Sequence, residues 1–428
     1  MTMIVEALNG WNPWWRTEKV PEALKGIERD IDPIINKSLD AREIIILTGI
    51  RRSGKTTIMY QLIDRLLHRN DTKQILYANL DDEALKSSTL EDIYNAYRQD
   101  ANPEGNAYFF LDEIQNMEGW ERFLKKHYDM RDKVKFVISG STASLLKKEY
   151  STLLTGRNLT YTIWPLSFKE FLRFSKTDTR RIDAATKNAI LHHLGRYMLY
   201  GGFPEVCFKD EELKEILLKQ YFDDMMYKDV ISRHDISPHK VNELAVYLLT
   251  NMANPYTIRS IRNITGLSID SIRDYLAYLE DAYLITSTEK YSDTFKETIK
   301  SPRKVYITDT GLRNAAGRKF SPDTGRLAEN IAAMHLKAQN KKTSYHKNGG
   351  EIDFIVKNPD QTLTAINVTY SDKIEKRETT ALTEFKKENK RTKELIIITK
   401  DTEKTQDEIT YVPMWKWLLE ENKTREKS

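Results

Sequence analysis

A single cysteine, Cys207, occurs in 428 residues. One thiol can form neither an intramolecular disulfide nor a multi-cysteine zinc site, so a reducing, cytoplasmic compartment is expected. Histidines are few, at 8, and none falls in an H-E-x-x-H pattern. His192 and His193 are adjacent and point apart on a helix, and His346 reads as a strand residue near a Gly-Gly turn. No apolar run approaches the roughly 18 residues that would span a bilayer, so no membrane partner is expected. The stretch from Met1 to Arg16 holds Asn9, Gly10, Asn12 and Pro13 and lacks a signal peptide's apolar centre. Neither charge sign dominates: 67 Lys+Arg against 63 Asp+Glu leave a net +4, so any basic surface must be local.

What is present is globular composition, with 40% hydrophobic and 30% charged residues. That rules out whole-chain disorder, and the length suits two to four domains at about 150 residues each. There is no internal repeat. The cluster Trp11, Trp14 and Trp15 reads as an arm docked on the body. From Ala41 to Trp164 short apolar strands (Glu43–Thr48, Gln74–Asn79, Ala107–Asp112, Lys135–Ser139) alternate with amphipathic helices, one over Lys55–His68. Such alternation predicts an α/β parallel sheet covered on both faces. The pattern turns mostly helical from Phe168 to Leu284. A third composition follows Gly325: a helix over Leu327–Ala338, then strands near Thr343–His346, Glu351–Val356 and Thr364–Thr369. A charged helix near Lys376–Asn389, a strand at Leu395–Thr399 and a helix at Met414–Leu419 complete it.

Gly49-Ile50-Arg51-Arg52-Ser53-Gly54-Lys55-Thr56, followed by Thr57, is a full G-x-x-x-x-G-K-[ST] match between a strand and a helix. The glycines let backbone amides wrap a phosphate at a helix N-terminus. Lys55 would reach the β- and γ-phosphates of ATP, and Thr56 would offer a hydroxyl to Mg²⁺. The backbone of Arg51 and Arg52 serves the loop, while their side chains are expected to point outward. Downstream, the strand AYFFL ends in Asp112 and Glu113. Asp112 suits the magnesium shell and Glu113 a general base for the attacking water. Ser141, ahead of Ser139, is the candidate for orienting that water.

These motifs, with LDEIQ at Leu111–Gln115, SGST at Ser139–Thr142, LTGR at Leu154–Arg157, WPLSFKEFL at Trp164–Leu172, GGFPEV at Gly201–Val206, GEIDFIV at Gly350–Val356 and WKWLL at Trp415–Leu419, resemble one family of AAA-type P-loop ATPases. That family occurs in archaea and bacteria, with a C-terminal domain of unknown function. The resemblance covers nearly the whole chain and implies ATP hydrolysis with an unassigned substrate. It also makes Arg157 the candidate contact to a γ-phosphate, in its own chain or in a neighbour's; the latter would require a homo-oligomer.

Further on, Tyr256–Ile261, the turn Gly266-Leu267-Ser268 and a helix over Ile269–Glu280 are followed by strands at Ala282–Ser287 and Lys304–Ile307. This order predicts a winged helix-turn-helix, with Ser268 capping the second helix. That helix carries Arg273 against Asp270, Asp274 and Glu280, a poor surface for phosphate. The wing, with Lys290, Lys296, Lys300, Arg303 and Lys304, is the better candidate for DNA. In the last domain Glu329, Glu351 and Asp353 resemble the layout of restriction-endonuclease-like nucleases. The third strand there reads Asn367-Val368-Thr369 in place of the expected carboxylate and lysine, so metal binding is conceivable and cleavage is not expected.

The expected organisation is an arm (residues 1–40), an AAA-type core (41–167), a helical lid or linker (168–254), a winged helix (255–318), an inactive endonuclease-like domain (325–420) and a fraying tail (421–428). The expected function is ATP hydrolysis coupled to remodelling of, or movement on, DNA. The alternatives are a nucleotide-controlled switch on a protein partner and, against Asn367 and Thr369, an ATP-dependent nuclease.

Overall fold

Five short segments of the first 163 residues join into one parallel sheet. They are β1 (Ile44–Thr48), β2 (Ile75–Asn79), β3 (Ala107–Asp112), β4 (Val134–Gly140) and β5 (Asn158–Thr162), in the order β2-β3-β4-β1-β5. The first four are near-continuous apolar runs because helices cover both faces. The computed structural model describes residues 2–102, 104–143, 153–234, 236–292, 294–318, 323–371 and 373–420. The expected fraying tail, 421–428, lies outside them. The chain divides into two compact units, Met1–Ile163 and Trp164–Ser428.

In the first unit, register aligns the strand ends. Thr48 pairs with Gly140 and with Thr162, and Asn79 pairs with Asp112. The segments that follow β1, β3 and β4 therefore emerge at one edge, the carboxyl edge of the sheet. Helix α5 (Lys55–Leu67) buries Ile58, Met59, Leu62, Ile63 and Leu66 in the core, each worth about 1.5–3 kcal/mol of burial. Four short helices precede it: α1 (Thr2–Trp11), α2 (Trp14–Thr17), α3 (Glu22–Lys25) and α4 (Asp32–Ser38). Three follow: α6 (Glu83–Lys86), α7 (Leu90–Asp100) and α8 (Trp120–Asp129). Trp14 and Trp15 are buried, and both indole N–H groups donate to the Ile75 carbonyl (3.1 and 2.9 Å). Strand β5 has no counterpart in the sequence reading, because its NLTYT pattern is only half-buried along its whole length.

The second unit opens with helices at Phe168–Phe174, Ala184–Tyr200, Glu211–Met225 and Pro238–Thr250, with a wide π-type turn at Met226–Ile231. Helices Ile258–Thr265 and Ile269–Asp281 follow, joined through Gly266 at φ 69°, and Ser268 caps the second by accepting from Ser271 N–H. Beside them β6 (Pro255–Tyr256), β7 (Ile285–Thr288) and β8 (Arg303–Ile307) form an antiparallel sheet in the order β6-β8-β7. The GGFPEV run is explained here. Asp309, fully enclosed, accepts from Gly202 N–H (2.7 Å) and Gly311 N–H (2.8 Å), and a Cβ on Gly201 would lie 1.9 Å from its Oδ1.

The last sheet is mixed: β9 (Lys342–Asn348), β10 (Gly350–Lys357), β11 (Leu363–Thr369), β12 (Thr392–Thr399), β13 (Lys404–Gln406) and β14 (Ile409–Pro413), in the order β13-β14-β12-β11-β10-β9. Helix Lys376–Glu388 packs Leu382 and Phe385 against Ile352, Ala365, Leu395 and Ile397. Strands β13 and β14 are absent from the sequence reading.

Candidate functional site

The loop between β1 and α5 is wrapped tightly enough to need glycine. Gly49 has φ 136°, and a Cβ there would lie 2.2 Å from the Ile163 carbonyl oxygen; Gly54 has φ 100°. Gly54 caps α5 without a side chain, leaving the helix's first amides to an anion. Lys55, almost fully buried, turns its ammonium back onto the carbonyls of Gly49 (2.8 Å) and Ile50 (3.0 Å). Ile50 and Ser53 are fully buried, and Ser53 Oγ is a buried hydroxyl without a hydrogen-bond partner. Thr57 packs under the arm, where a Cβ on Gly26 would meet its methyl at 2.9 Å. Arg29, also from the arm and missed by the sequence reading, donates to the Ser53 carbonyl at 3.0 Å.

Asp112 closes β3 as the acceptor of three hydroxyls. Thr56 Oγ1 (2.6 Å) and Tyr77 Oη (2.8 Å) donate to Oδ2, and Ser139 Oγ donates to Oδ1. Glu113 follows in the left-handed region (φ 56°, ψ 49°), a conformation uncommon for a residue with a Cβ and concentrated at functional sites. Its N–H donates to Ser139 Oγ at 3.2 Å, while its carboxylate accepts from Gln115 and lies 3.9 Å from the Arg51 guanidinium. Arg51 is therefore half-buried and turned toward Glu113, a correction to the outward orientation expected of it, with opposite charge as the cause. Arg52 is exposed and takes φ 68°. Ser139 bridges the two acidic residues; Ser141, two residues on, is fully buried. Tyr77 was missed, although a phenol amid an apolar strand is a signal that its hydroxyl has a buried partner. Burial, then the Asp112 charge, drives its pKa well above the ordinary tyrosine value.

Arg157 lies elsewhere. It precedes β5, and its carbonyl accepts from Ile44 N–H at the start of β1, the edge opposite the phosphate loop. The five residues of β1 put about 16 Å between the two edges. Its guanidinium pairs with Asp129 (2.8 Å), whose pKa falls to about 2 through Arg157 first and Lys125 second.

In the second unit a different acidic centre forms. Glu329, Glu351 and Asp353 converge on the ammonium of Lys304 at 2.9, 2.9 and 3.1 Å, and Tyr306 Oη donates to Glu329 at 2.8 Å. Lys304 is 1% exposed, so it is no wing contact. Burial disfavours its charge, but Asp353, Glu329 and Glu351 outweigh burial and hold its pKa above the ordinary lysine range. Burial, then Asp353, pushes Glu329 up to about 8. Asn367 Oδ1 accepts Asp353 N–H (3.1 Å), and its Nδ2 donates to Glu378 (2.8 Å), so the amide oxygen is committed to the backbone, not offered to a metal. Thr369 remains a neutral hydroxyl. Among the described residues no three acidic or imidazole side chains are arranged to hold a metal ion, and no helix is long and apolar enough to cross a membrane. Two more of the wing cations are engaged, Lys290 with Asn348 (2.8 Å) and Glu297 (3.5 Å) and Arg303 with Glu289 (2.9 Å), whereas Lys296 and Lys300 are exposed.

Comparison with known proteins fits this division. An AAA-domain family model matches residues 41–172, and two domains of unknown function, DUF8612 and DUF4143, match 191–323 and 324–417. The uncharacterized protein MJ1544 of Methanocaldococcus jannaschii is 32% identical over 423 residues, 94% of this chain and 93% of that one. The chain belongs to this family. An uncharacterized Haemophilus influenzae protein is also 32% identical, over 89% of this chain and 95% of its own. The first unit of the present chain is thus an AAA-type P-loop ATPase domain, with helical and further α/β regions after it. The solved Walker-type ATPase PABY2304 of Pyrococcus abyssi shares 15% identity at a TM-score of 0.48, covering 70% of this chain and 97% of its own.

Proposed function

We propose that the protein hydrolyses ATP with Mg²⁺, and the observation that carries this reading is the convergence of Thr56, Asp112 and Glu113 at the end of the phosphate loop. The residues fit the nucleotide: Lys55 rests on neutral carbonyls it can leave for a β- or γ-phosphate, and Ser53 Oγ has a hydrogen bond to spare. Thr56 and Asp112 would hold the magnesium ion, which when bound neutralises charge on the phosphate oxygens. Glu113 would take the proton of the attacking water once it leaves Gln115 and Arg51. Arg157, remote from its own loop, would act on a neighbouring subunit's nucleotide, spreading positive charge over the transferring phosphoryl group.

Glu113→Gln should keep ATP bound while hydrolysis stalls, read by nucleotide retention and phosphate release; simultaneous loss of both would assign Glu113 to metal binding or structure. Arg157→Ala should lose about 10³-fold in rate and keep ATP affinity. Mixing the two variants should restore part of the turnover, since one subunit keeps the base and its neighbour the arginine.

Hydrolysis would drive remodelling of, or movement on, DNA, reached through the exposed Lys296 and Lys300, which lie on a short helix (Phe295–Lys300) between β7 and β8 where the sequence suggested a polar hairpin. A second reading, a nucleotide-controlled switch on a protein partner, is favoured by the pairing of Lys290, Arg303 and Lys304 and by exposed Ile264 and Ile269 beside the helix-turn-helix corner. ATPase rates with and without single-stranded, duplex and branched DNA separate the two readings. Lys304 and Asn367 argue against a nuclease.

A further inference from the structure

Tyr77 sits at the centre of β2, an edge strand, with its ring enclosed by Tyr60 (centroids 4.8 Å apart) and Trp11 (5.9 Å). It pairs with Phe110, two residues short of Asp112 in register, and the length of its phenol carries the hydroxyl to Asp112 Oδ2 at 2.8 Å. Each Asp112 oxygen then has a fixed donor: Tyr77 on Oδ2 and Ser139 on Oδ1. Thr56 also donates to Oδ2, but Thr56 is the residue whose oxygen would turn to the cation. With Tyr77 and Ser139 holding both oxygens, Thr56 can change partner without letting the carboxylate rotate.

Tyr77 is itself held from outside the sheet. Asn12, fully buried between α1 and α2, accepts from Tyr77 N–H (2.6 Å) and donates to the Tyr77 carbonyl (2.8 Å), so one side chain replaces the neighbouring strand that an edge lacks. A connected route runs from the arm through the Tyr77 backbone and phenol to the acidic residue at the loop.

We propose that Tyr77 is a positioning residue for the magnesium site, and that Asn12 of the N-terminal arm sets Tyr77 in place. The inference rests on the ATPase reading and adds to it a control that neither the loop motif nor the strand ending in two carboxylates contains. Partners that orient a metal's ligands typically change metal affinity by about 10–100-fold when removed.

The test uses the full chain and a fluorescent ATP analogue, first in EDTA and then titrated with MgCl₂. Tyr77→Phe keeps the ring and removes the donor; thermal melting confirms that it folds. The Mg²⁺ concentration giving half-maximal tightening of nucleotide should rise by about tenfold, with affinity in EDTA unchanged. Asn12→Ala should shift the same midpoint in the same direction by a smaller factor; should it fail to fold, Tyr77→Phe alone decides. An unchanged midpoint in Tyr77→Phe overturns the inference, as does an equal loss of affinity with and without Mg²⁺, which would mark a structural role. If wild-type protein binds nucleotide with no response to Mg²⁺, the ATPase reading itself falls, and the two failures are thereby distinguished.

Discussion

Two buried lysines, one in each unit, have opposite company. Lys55 touches the carbonyls of Gly49 and Ile50, whereas Lys304 touches the carboxylates of Glu329, Glu351 and Asp353. Both are nearly inaccessible, at 5% and 1% exposure. Carbonyls solvate an ammonium without neutralising it, so these two contacts do not cancel the charge of Lys55. The three carboxylates already compensate Lys304, whose three donors are all spent. What separates a binding lysine from a structural one is the charge of its partners more than the depth of its burial.

Stability should separate the two lysines most sharply. Lys304→Met should destabilise the protein by about 3–5 kcal/mol, because it leaves buried carboxylates uncompensated. Urea unfolding of the full chain would measure it, and a cost below 1 kcal/mol would break the contrast. Lys55→Met should do the reverse: a change in stability under about 1 kcal/mol, with ATP affinity reduced on the order of 100-fold in a fluorescence titration. If Lys55→Met also unfolded the protein, both lysines would be structural.

A pH dependence sharpens the contrast. Glu329 has a folded-state pKa of about 8, raised by burial and then by Asp353. A raised acid stabilises the fold while protonated, and that contribution is lost as pH climbs from its unfolded value near 4.5 through about 8. Glu329→Gln cannot ionise, so its stability relative to wild type should improve between pH 5 and pH 8. A constant difference across that range would show that Glu329 does not titrate with folding.

The contrast between the lysines also explains what the sequence made legible. The phosphate loop is contiguous, its glycines answer to backbone conformation, and Asp112 and Glu113 end an unmistakable apolar strand. The two helices that meet at Gly266 could be read because Gly266 and Ser268 mark their corner. Lys304 could not be read, because its partners lie on a helix and a strand far along the chain, and a lysine in RKVYI looks the same whether it meets water or carboxylates. The available hint was its i, i+2 relation to Tyr306, which places both on one strand face. Arg157 was found by its motif, yet its position at the far edge depended on β5, whose half-polar pattern concealed a strand. Tyr77 and Asn12 meet through an edge pairing made by a side chain, which no strand pattern announces.

That pairing bears on solubility. The outer rim of β2 would otherwise present free amide and carbonyl groups to any passing strand, the usual template for intermolecular sheet growth. Asn12, Trp14 and Trp15 occupy those groups with three side chains. A shortened variant starting at Ala41 would retain every residue of the phosphate loop and still uncover this rim, together with the apolar surface beneath the indoles. Such a fragment would self-associate through β2, so turbidity or light scattering during purification would say more about the missing arm than about the catalytic machinery left behind.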